Sequence, residues 1–154
     1  MLIATSSGKI DISLEETTAE IASELTNLLT KGSTVFLCGE MGVGKTTFVR
    51  YLINQYQKKF DLSLTEVPSP TFNILNEYEI DDFIIKHYDL YRLKSLDEVN
   101  DLGIFENEKN SIKLIEWPNI LLKENNNFIK LTFMYSKDYL KRELSYENLI
   151  KNGN

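Results

Sequence analysis

The sequence has little of what marks a secreted or membrane protein. Its 154 residues include a single cysteine, Cys38, so no internal disulfide can form and a reducing compartment is favoured. No apolar run approaches membrane-spanning length, and residues 1–10 lack an apolar core of the length that a signal peptide needs. These absences predict a cytoplasmic protein that does not associate with a membrane.

Positive charge is also scarce. The net charge is -6 at pH 7, and the only arginines are Arg50, Arg92 and Arg142. Because binding to a nucleic-acid backbone needs clustered lysine and arginine, the composition excludes a protein that holds RNA or DNA by its overall field. We therefore expect any involvement with nucleic acid to be indirect. Separately, the chain has no N-K-x-D motif, which in nucleotide-binding proteins indicates specificity for guanine.

The chain has enough apolar residues for one core. It is 42% hydrophobic, and a chain of this length buries about two thirds of its unfolded surface. Such a core needs no disulfide or metal to hold it together. No internal repeat or linker is visible, which predicts a single domain over residues 1–154.

The most informative segment is residues 39–46, G-E-M-G-V-G-K-T, which fits the phosphate-binding pattern G-x-x-x-x-G-K-[ST]. A predicted strand over residues 34–38 precedes it and a helical pattern follows from near Gly44, as such a loop requires. Glycines let successive backbone N–H groups turn inward around phosphates. Lys45 adds a positive charge for the β- and γ-phosphates, and the Thr46 hydroxyl suits Mg²⁺. The alternative is a glycine-rich structural turn.

This phosphate loop supplies most of the predicted nucleotide contacts. They are Gly39, Glu40, Met41, Gly42, Val43, Gly44, Lys45, Thr46 and Thr47.

Helix and strand signals surround the phosphate loop. Ser13 begins a capping box, so a helix is expected to start there and to end at Gly32. Residues 72–80 and 83–91 read as two strands joined by a short turn, a β-hairpin. An antiparallel pair is unusual in a doubly wound sheet, which favours a mixed sheet.

The other segments complete a prediction of fold class. They are a capped helix from Ser95 to Gly103, a polar loop over 121–127, strands over 128–135 and 142–146 at one edge of the sheet, and a fraying end over 151–154. Together the segments predict an α/β fold. We expect a three-layer sandwich like that of P-loop nucleoside triphosphatases, with a mixed, mostly parallel central sheet and an antiparallel hairpin.

Asp89 is unusual in the second hairpin strand, because it is an acid near the end of an apolar strand. A carboxylate near the end of an apolar strand is unfavourable unless it is paired or bound to a metal. It is therefore either an acid of a ligand site or half of an ion pair with a residue such as Arg92. His87, the only histidine, lies on the same face of that strand. A role as a base is open for it, but the sequence favours a structural histidine hydrogen-bonded beside Asp89.

A second acid, Glu116, ends the apolar strand predicted over residues 111–116. An apolar strand that delivers a carboxylate to the phosphate side of a sheet has the form of a Walker-B element. Trp117 follows, and its default role is packing at the strand end, whereas an exposed position would indicate a partner surface.

Residues 67–72, V-P-S-P-T-F, form a segment that we call the proline loop. Its two prolines fix an extended, helix-free conformation, so a rigid loop is the simplest interpretation. The functional alternative is a switch-like loop in which Ser69 or Thr71 meets the γ-phosphate or its metal.

Four motifs in order, G-E-M-G-V-G-K-T-T, S-P-T-F, H-Y-D-L-Y-R-L and E-W-P, resemble the bacterial TsaE (YjeE) family. The resemblance runs from about Ser13 to about Arg142 and includes Leu102-Gly103. That family commonly has G-D-L-G-A-G-K-T, so Glu40, Met41 and Val43 are conservative departures. No phosphate contact is removed by them.

The resemblance implies a small ATPase that binds ATP and Mg²⁺ and is needed for threonylcarbamoyl modification of adenosine in tRNA. It implies that Thr46, Asp89 and Glu116 gather around Mg²⁺, that Thr71 belongs to a nucleotide-sensing loop, and that Trp117 lies near the site. It also implies that Glu15, at the start of the first helix, approaches the adenine. The implied partners are TsaD- and TsaB-like proteins, which handle the tRNA.

The expected mechanism is hydrolysis of Mg-ATP, in which the phosphate loop and Lys45 hold the phosphates and the metal offsets charge on the leaving γ-phosphoryl group. Lys45, Asp89 and Glu116 are the predicted catalytic residues, and either acid can orient the attacking water. Two alternatives stay open. A small-molecule kinase shares the loop but usually needs several arginines to gather two anionic substrates. A nucleotide-dependent binding switch with slow hydrolysis gives conformational change as its output.

Overall fold

A mixed sheet in the computed structural model of the chain confirms the predicted fold class. Within residues 2–3, 5–106, 108–121 and 128–148, which are those the structure describes, seven strands form one sheet in the order β1-β7-β6-β2-β5-β4-β3. The predicted polar loop, apart from Leu121, and the predicted fraying end lie outside the described residues. The strands are β1 (Gly8–Asp11), β2 (Thr34–Cys38), β3 (Leu75–Glu79), β4 (Ile84–Asp89), β5 (Ser111–Glu116), β6 (Ile129–Tyr135) and β7 (Arg142–Glu147).

The direction of the strands changes from the centre of the sheet to its edges. Strands β6, β2, β5 and β4 run parallel to one another. Antiparallel pairing adds β7 and then β1 on one side and β3 on the other. The predicted hairpin is therefore confirmed as β3 and β4, with shorter strands than expected. The prediction that the last two strands form an edge is wrong, because β1 covers β7.

Helices cover both faces of the sheet, as predicted for three layers. Helices α1 (Glu15–Thr26) and α2 (Lys45–Lys59) pack on one face, and α3 (Leu96–Asp101) lies on the other. A short 3₁₀ helix, Glu108–Asn110, precedes β5. Strand β2 is buried on both sides, since Val35 and Leu37 join the core under α1 and α2 while Phe36 joins the core under α3. None of the helices in the part of the chain that the structure describes has the length and apolar character needed to cross a membrane.

The first capping-box prediction is wrong, and long-range pairing is the reason. Helix α1 has Leu14 as its N-cap, with no side-chain cap bond. The Ser13 hydroxyl accepts a hydrogen bond from the backbone N–H of Arg142 at 3.0 Å, so it is used by β7. The helix also ends at Thr26 instead of Gly32, and Gly32 lies in the following turn, where its N–H donates to Ser111 at 2.8 Å.

The second capping box is confirmed. Helix α3 begins after Ser95, whose hydroxyl accepts a hydrogen bond from the Glu98 N–H at 3.2 Å. Gly103, at φ +66°, follows the helix, as expected of a left-handed residue at a helix end.

Strand direction gathers the candidate site residues at one edge of the sheet. Because β2, β4 and β5 are parallel, their carboxyl ends lie side by side. Glu116 at the end of β5 is in register with Leu37 of β2 on one side and with Asp89 of β4 on the other. The phosphate loop leaves β2 at this same edge.

Candidate functional site

The phosphate loop connects β2 to α2 in a conformation that depends on glycine. Gly39 has φ +143°, and a Cβ there would lie 2.6 Å from the carbonyl oxygen of Phe133 on β6. Gly44, at φ +122°, is the residue before the first turn of α2. Between them, the Val43 side chain is fully buried in the core under α2. The buried valine fixes the loop from inside, while the glycines allow its backbone to turn.

Lys45 is folded onto its own loop. The residue is only 4% exposed, and its ammonium group donates a hydrogen bond to the Gly39 carbonyl at 2.6 Å. The same nitrogen lies 4.0 Å from the centre of the Trp117 ring, a cation–π contact. Burial lowers the pKa of Lys45, and the charges of Glu116 and then Asp89 oppose this shift. The Lys45 ammonium group is thus held inside the site.

Asp89 belongs to the site and not to an ion pair with Arg92. One of its oxygens accepts the Tyr91 N–H at 3.0 Å, and the other is 3.4 Å from the Thr71 hydroxyl. The guanidinium group of Arg92 instead lies 5.9 Å from the ring centre of Phe72. Of the two roles that the sequence left open, the structure favours the acid of a ligand site.

Glu116 faces Asp89 across the register of β4 and β5 and has a partner that the sequence did not predict. Its Oε2 lies 2.8 Å from Nε2 of His87. His87 is fully buried, and Glu116 is 3% exposed. The expectation of a hydrogen-bonded structural histidine is confirmed, but its partner is Glu116 and not Asp89.

These residues surround an open cavity of about 240 Å³. The predicted site residues in its wall are Met41, Gly42, Gly44, Lys45, Thr46, Thr47, Thr71, Asp89 and Glu116. Ser69 of the proline loop and Trp117 also line it, in agreement with the positions suggested for them. The cavity therefore joins the phosphate loop, the proline loop and both acids.

Four predicted contacts are not in the cavity wall. Gly39 lies behind Lys45, Val43 points into the core, and Glu40 is exposed. Glu15 lies where α1 meets α2, and one of its carboxylate oxygens contacts Arg50 at 3.1 Å and the hydroxyl of Tyr51 at 2.7 Å. The structure does not bring Glu15 to the cavity.

Two wall residues are not among those that the sequence predicts. Tyr91 follows Asp89 after β4, and Arg142 begins β7. A terminal nitrogen of Arg142 lies 3.6 Å from where a Cβ at Gly44 would be, so this arginine stands over the start of α2. No local pattern around Arg142 indicates a site, because only the pairing of β7 with β6 and β1 brings it there.

The oxygen ligands available in the cavity suit Mg²⁺. Asp89 and Glu116 offer carboxylates, and Thr46 offers a hydroxyl. Mg²⁺ is usually held by one or two carboxylates together with substrate phosphates and water. In the described ranges no group of three or more histidine, cysteine or acidic side chains has the geometry of a metal site. The three oxygen ligands fit a metal whose remaining ligands are substrate phosphates and water.

A protein-family comparison identifies the family to which the chain is similar. A family model described as threonylcarbamoyl adenosine biosynthesis protein TsaE matches residues 12–144. A relative in Rickettsia felis, named tRNA threonylcarbamoyladenosine biosynthesis protein TsaE, is 43% identical over 107 residues, which are 70% of this chain and 60% of the relative. The chain thus spans less than two thirds of that relative's length. A protein of the same name in Aquifex aeolicus is 37% identical over 103 residues, covering 67% of this chain and 71% of the relative.

A solved structure shares the fold. The crystal structure of YdiB from Bacillus subtilis aligns with a TM-score of 0.69, covering 96% of this chain and 89% of that protein, at 22% identity. This likeness bears on the architecture, which is the α/β arrangement described above.

Proposed function

This chain belongs to the TsaE family, and from that membership we propose that it is an Mg²⁺-dependent ATPase that supports threonylcarbamoyl modification of adenosine in tRNA. One observation carries the proposal. Lys45 of the phosphate loop lies in the same cavity as Asp89 and Glu116, which end two neighbouring parallel strands. The cavity thus combines a lysine ammonium group, a loop of backbone N–H groups and two carboxylates. This combination suits a triphosphate with a bound metal ion.

In the proposed complex, the phosphate loop binds the β- and γ-phosphates. Backbone N–H groups of residues 39–44 and the N-terminal end of α2 carry partial positive charge. Lys45 leaves its present hydrogen bond to Gly39 and donates to the phosphates, so a charge that is already buried meets its partner without further desolvation. Thr47 and the loop residues outside the cavity wall, Glu40 and Val43, contribute through their backbones.

Thr46, Asp89 and Glu116 would hold Mg²⁺, which when bound offsets negative charge on the phosphates. Thr71, next to Asp89, senses whether the γ-phosphate is present, since its hydroxyl already lies 3.4 Å from that carboxylate. One of the two acids orients the attacking water. Because the breakdown of a phosphoanhydride is mostly a matter of positioning and charge, these groups are sufficient for the chemistry.

The remaining parts of the proposal concern the base and the partners. We assign residues 1–154 to one ATPase domain of the cytoplasm, with Glu15 on the side of the adenine. The partners are TsaD- and TsaB-like proteins, and tRNA is reached through them. The net charge of -6 supports an indirect contact with tRNA, because a direct one would need a basic surface.

Replacement of Lys45 by alanine tests the proposal. We expect release of phosphate from ATP to fall at least about 100-fold, since Lys45 is the main side-chain charge on the phosphates. The measurement is phosphate release with Mg²⁺ and with EDTA, in the absence and presence of TsaD- and TsaB-like proteins. Strong stimulation by the partners supports a switch that serves the complex. Transfer of phosphate to a small acceptor would identify a kinase instead, and hydrolysis by the alanine variant at the parent rate would contradict the proposal.

A further inference from the structure

We infer that His87 is a positioning residue for Glu116, holding one carboxylate oxygen so that the other alone faces the reacting centre. The inference rests on the proposed function for the role of Glu116, but its geometry is independent of that role. His87 Nε2 and Glu116 Oε2 are 2.8 Å apart, within the range of a hydrogen bond to an ionised group.

The position of His87 excludes contact with the nucleotide. The side chain is fully buried and does not line the cavity, which Asp89 of the same strand does. His87 is in register with Leu114, two residues before Glu116 on β5, so the imidazole lies below the carboxylate and reaches it from the core. It therefore acts through Glu116 and not on substrate.

The surroundings of the ring indicate its tautomer. Nδ1 is buried, and within the described ranges it has no hydrogen-bond partner. Nε2 instead lies against a carboxylate oxygen, which is a hydrogen-bond acceptor, so the contact indicates a proton on Nε2, and Nε2–H donates to Glu116.

This hydrogen bond keeps the Glu116 carboxylate from pairing with the Lys45 ammonium group. Lys45 and Glu116 line one cavity and carry opposite charges, so an unrestrained Glu116 is attracted to the ammonium group that the phosphates need. His87 holds the carboxylate against the end of β5. Glu116 Oε1 is then free to orient water or metal, and Lys45 is free for phosphate.

Two substitutions separate this role from simple packing. His87→Gln keeps an N–H donor at a similar reach, whereas His87→Leu keeps apolar volume and removes the donor. We expect His87→Leu to lower kcat about 10-fold to 100-fold, the usual effect of losing the partner of a metal-site ligand, with little change in KM for ATP. His87→Gln should restore most of the lost kcat. Ile85→Ala, a core change on the same strand and face, is the control for destabilisation and should leave kcat unchanged.

Because His87 is the only histidine, nuclear magnetic resonance gives a test that does not require activity. The ¹⁵N-labelled imidazole should give one set of signals, with a proton on Nε2 that exchanges slowly with water. In Glu116→Ala this proton signal should shift or disappear, since its acceptor is removed.

The outcomes are distinct. A ring without a proton on Nε2, a signal unaffected by Glu116→Ala, or a folded His87→Leu protein with parent kcat would each overturn the inference. If the parent protein itself hydrolyses no ATP, the proposed function fails, while the resonance experiment still decides whether His87 holds Glu116.

Discussion

The phosphate loop and the proline loop both form part of the wall of one cavity but are attached to the fold in different ways. The phosphate loop is tied at several points: Val43 is buried in the core, and the Tyr135 hydroxyl donates to the Gly42 carbonyl at 3.0 Å. The proline loop is anchored at Val67, which is buried in the core, and at the Pro70 carbonyl, which accepts the Ile74 N–H at 2.7 Å, but the contact of its Thr71 with Asp89 is long at 3.4 Å. Phe72, which follows Thr71 and is the last residue of the proline loop, is 83% exposed.

The difference separates two tasks. A wall packed against the core can present its N–H groups to phosphate without rearrangement, which makes binding efficient. A wall whose link to the acid of the site is one weak hydrogen bond can change that contact when the charge beside it changes. We therefore expect the phosphate loop to set affinity and the proline loop to set the response to the γ-phosphate.

The largest effect should come from breaking the rigid wall at Gly39. In Gly39→Ala the new Cβ would lie 2.6 Å from the Phe133 carbonyl, at φ +143°. We expect the free energy of unfolding to fall by roughly 3 kcal/mol or more, as combined strain and clash predict. Urea denaturation measures it.

Gly42→Ala is the matched control for this prediction. Gly42 has φ +82°, but no heavy atom lies within 4 Å of a Cβ built there. Only the conformational penalty applies, which is about 1–2 kcal/mol. Equal losses in the two variants would show that the Gly39 clash is relieved and that this wall is less rigid than described.

The proline loop is tested by Thr71→Val, which keeps the shape and removes the hydroxyl. We expect a tenfold loss in kcat, about 1.4 kcal/mol, with KM for ATP and unfolding free energy nearly unchanged. The hydroxyl of Ser69 lies 2.7 Å from that of Thr71, so Ser69→Ala serves as the control and should have a smaller effect. A large rise in KM with constant kcat would assign affinity to this wall too.

A third prediction uses the fluorescence of Trp117, the only tryptophan, to detect a movement of Lys45. The buried Lys45 ammonium group is 4.0 Å from the Trp117 ring centre, and a desolvated cation–π contact contributes about 2 kcal/mol. Saturating Mg-ATP should withdraw Lys45 and change the fluorescence of Trp117. Lys45→Met should show altered emission without nucleotide and no further change with it. An emission spectrum of the parent protein that nucleotide leaves unaltered would mean that Lys45 stays in place.

The smallest effect is expected outside both walls, at Glu15. Its ion pair with Arg50 is largely exposed, so Glu15→Gln should change the free energy of unfolding by less than about 1 kcal/mol. If Glu15 approaches the adenine, the ratio of KM values for ATP and GTP should change in this variant. An unaltered ratio would remove Glu15 from the proposed site.

The sequence predicted best where the signal is local. The bounds of β2 and β5 agree with prediction, because each is a short apolar run between clear breaks. Asp89 and Glu116 were identified since an acid at the end of an apolar strand is conspicuous, and parallel pairing then aligned them. The glycine pattern located the phosphate loop.

Prediction failed where distant residues decide the outcome. Ser13 looks like a helix cap, but its hydroxyl is used by Arg142, 129 residues later. Arg142 lines the cavity, and His87 is hydrogen-bonded to Glu116 instead of Asp89. Both contacts also join residues that are distant in the sequence. Strand pairing sets these contacts, and neither spacing nor residue type near each position reports it.

The pairing of β1 with β7 also has a consequence for how the protein is made. Ser13 and Ile12 are held by the backbone of Arg142, and Arg142 lines the cavity. During synthesis β1 can therefore pair with β7 only after most of the chain has left the ribosome, since contacts between distant residues form late. The cavity is complete only at that stage. A nascent chain therefore carries the phosphate loop before Arg142, the last residue of the cavity wall, has been added.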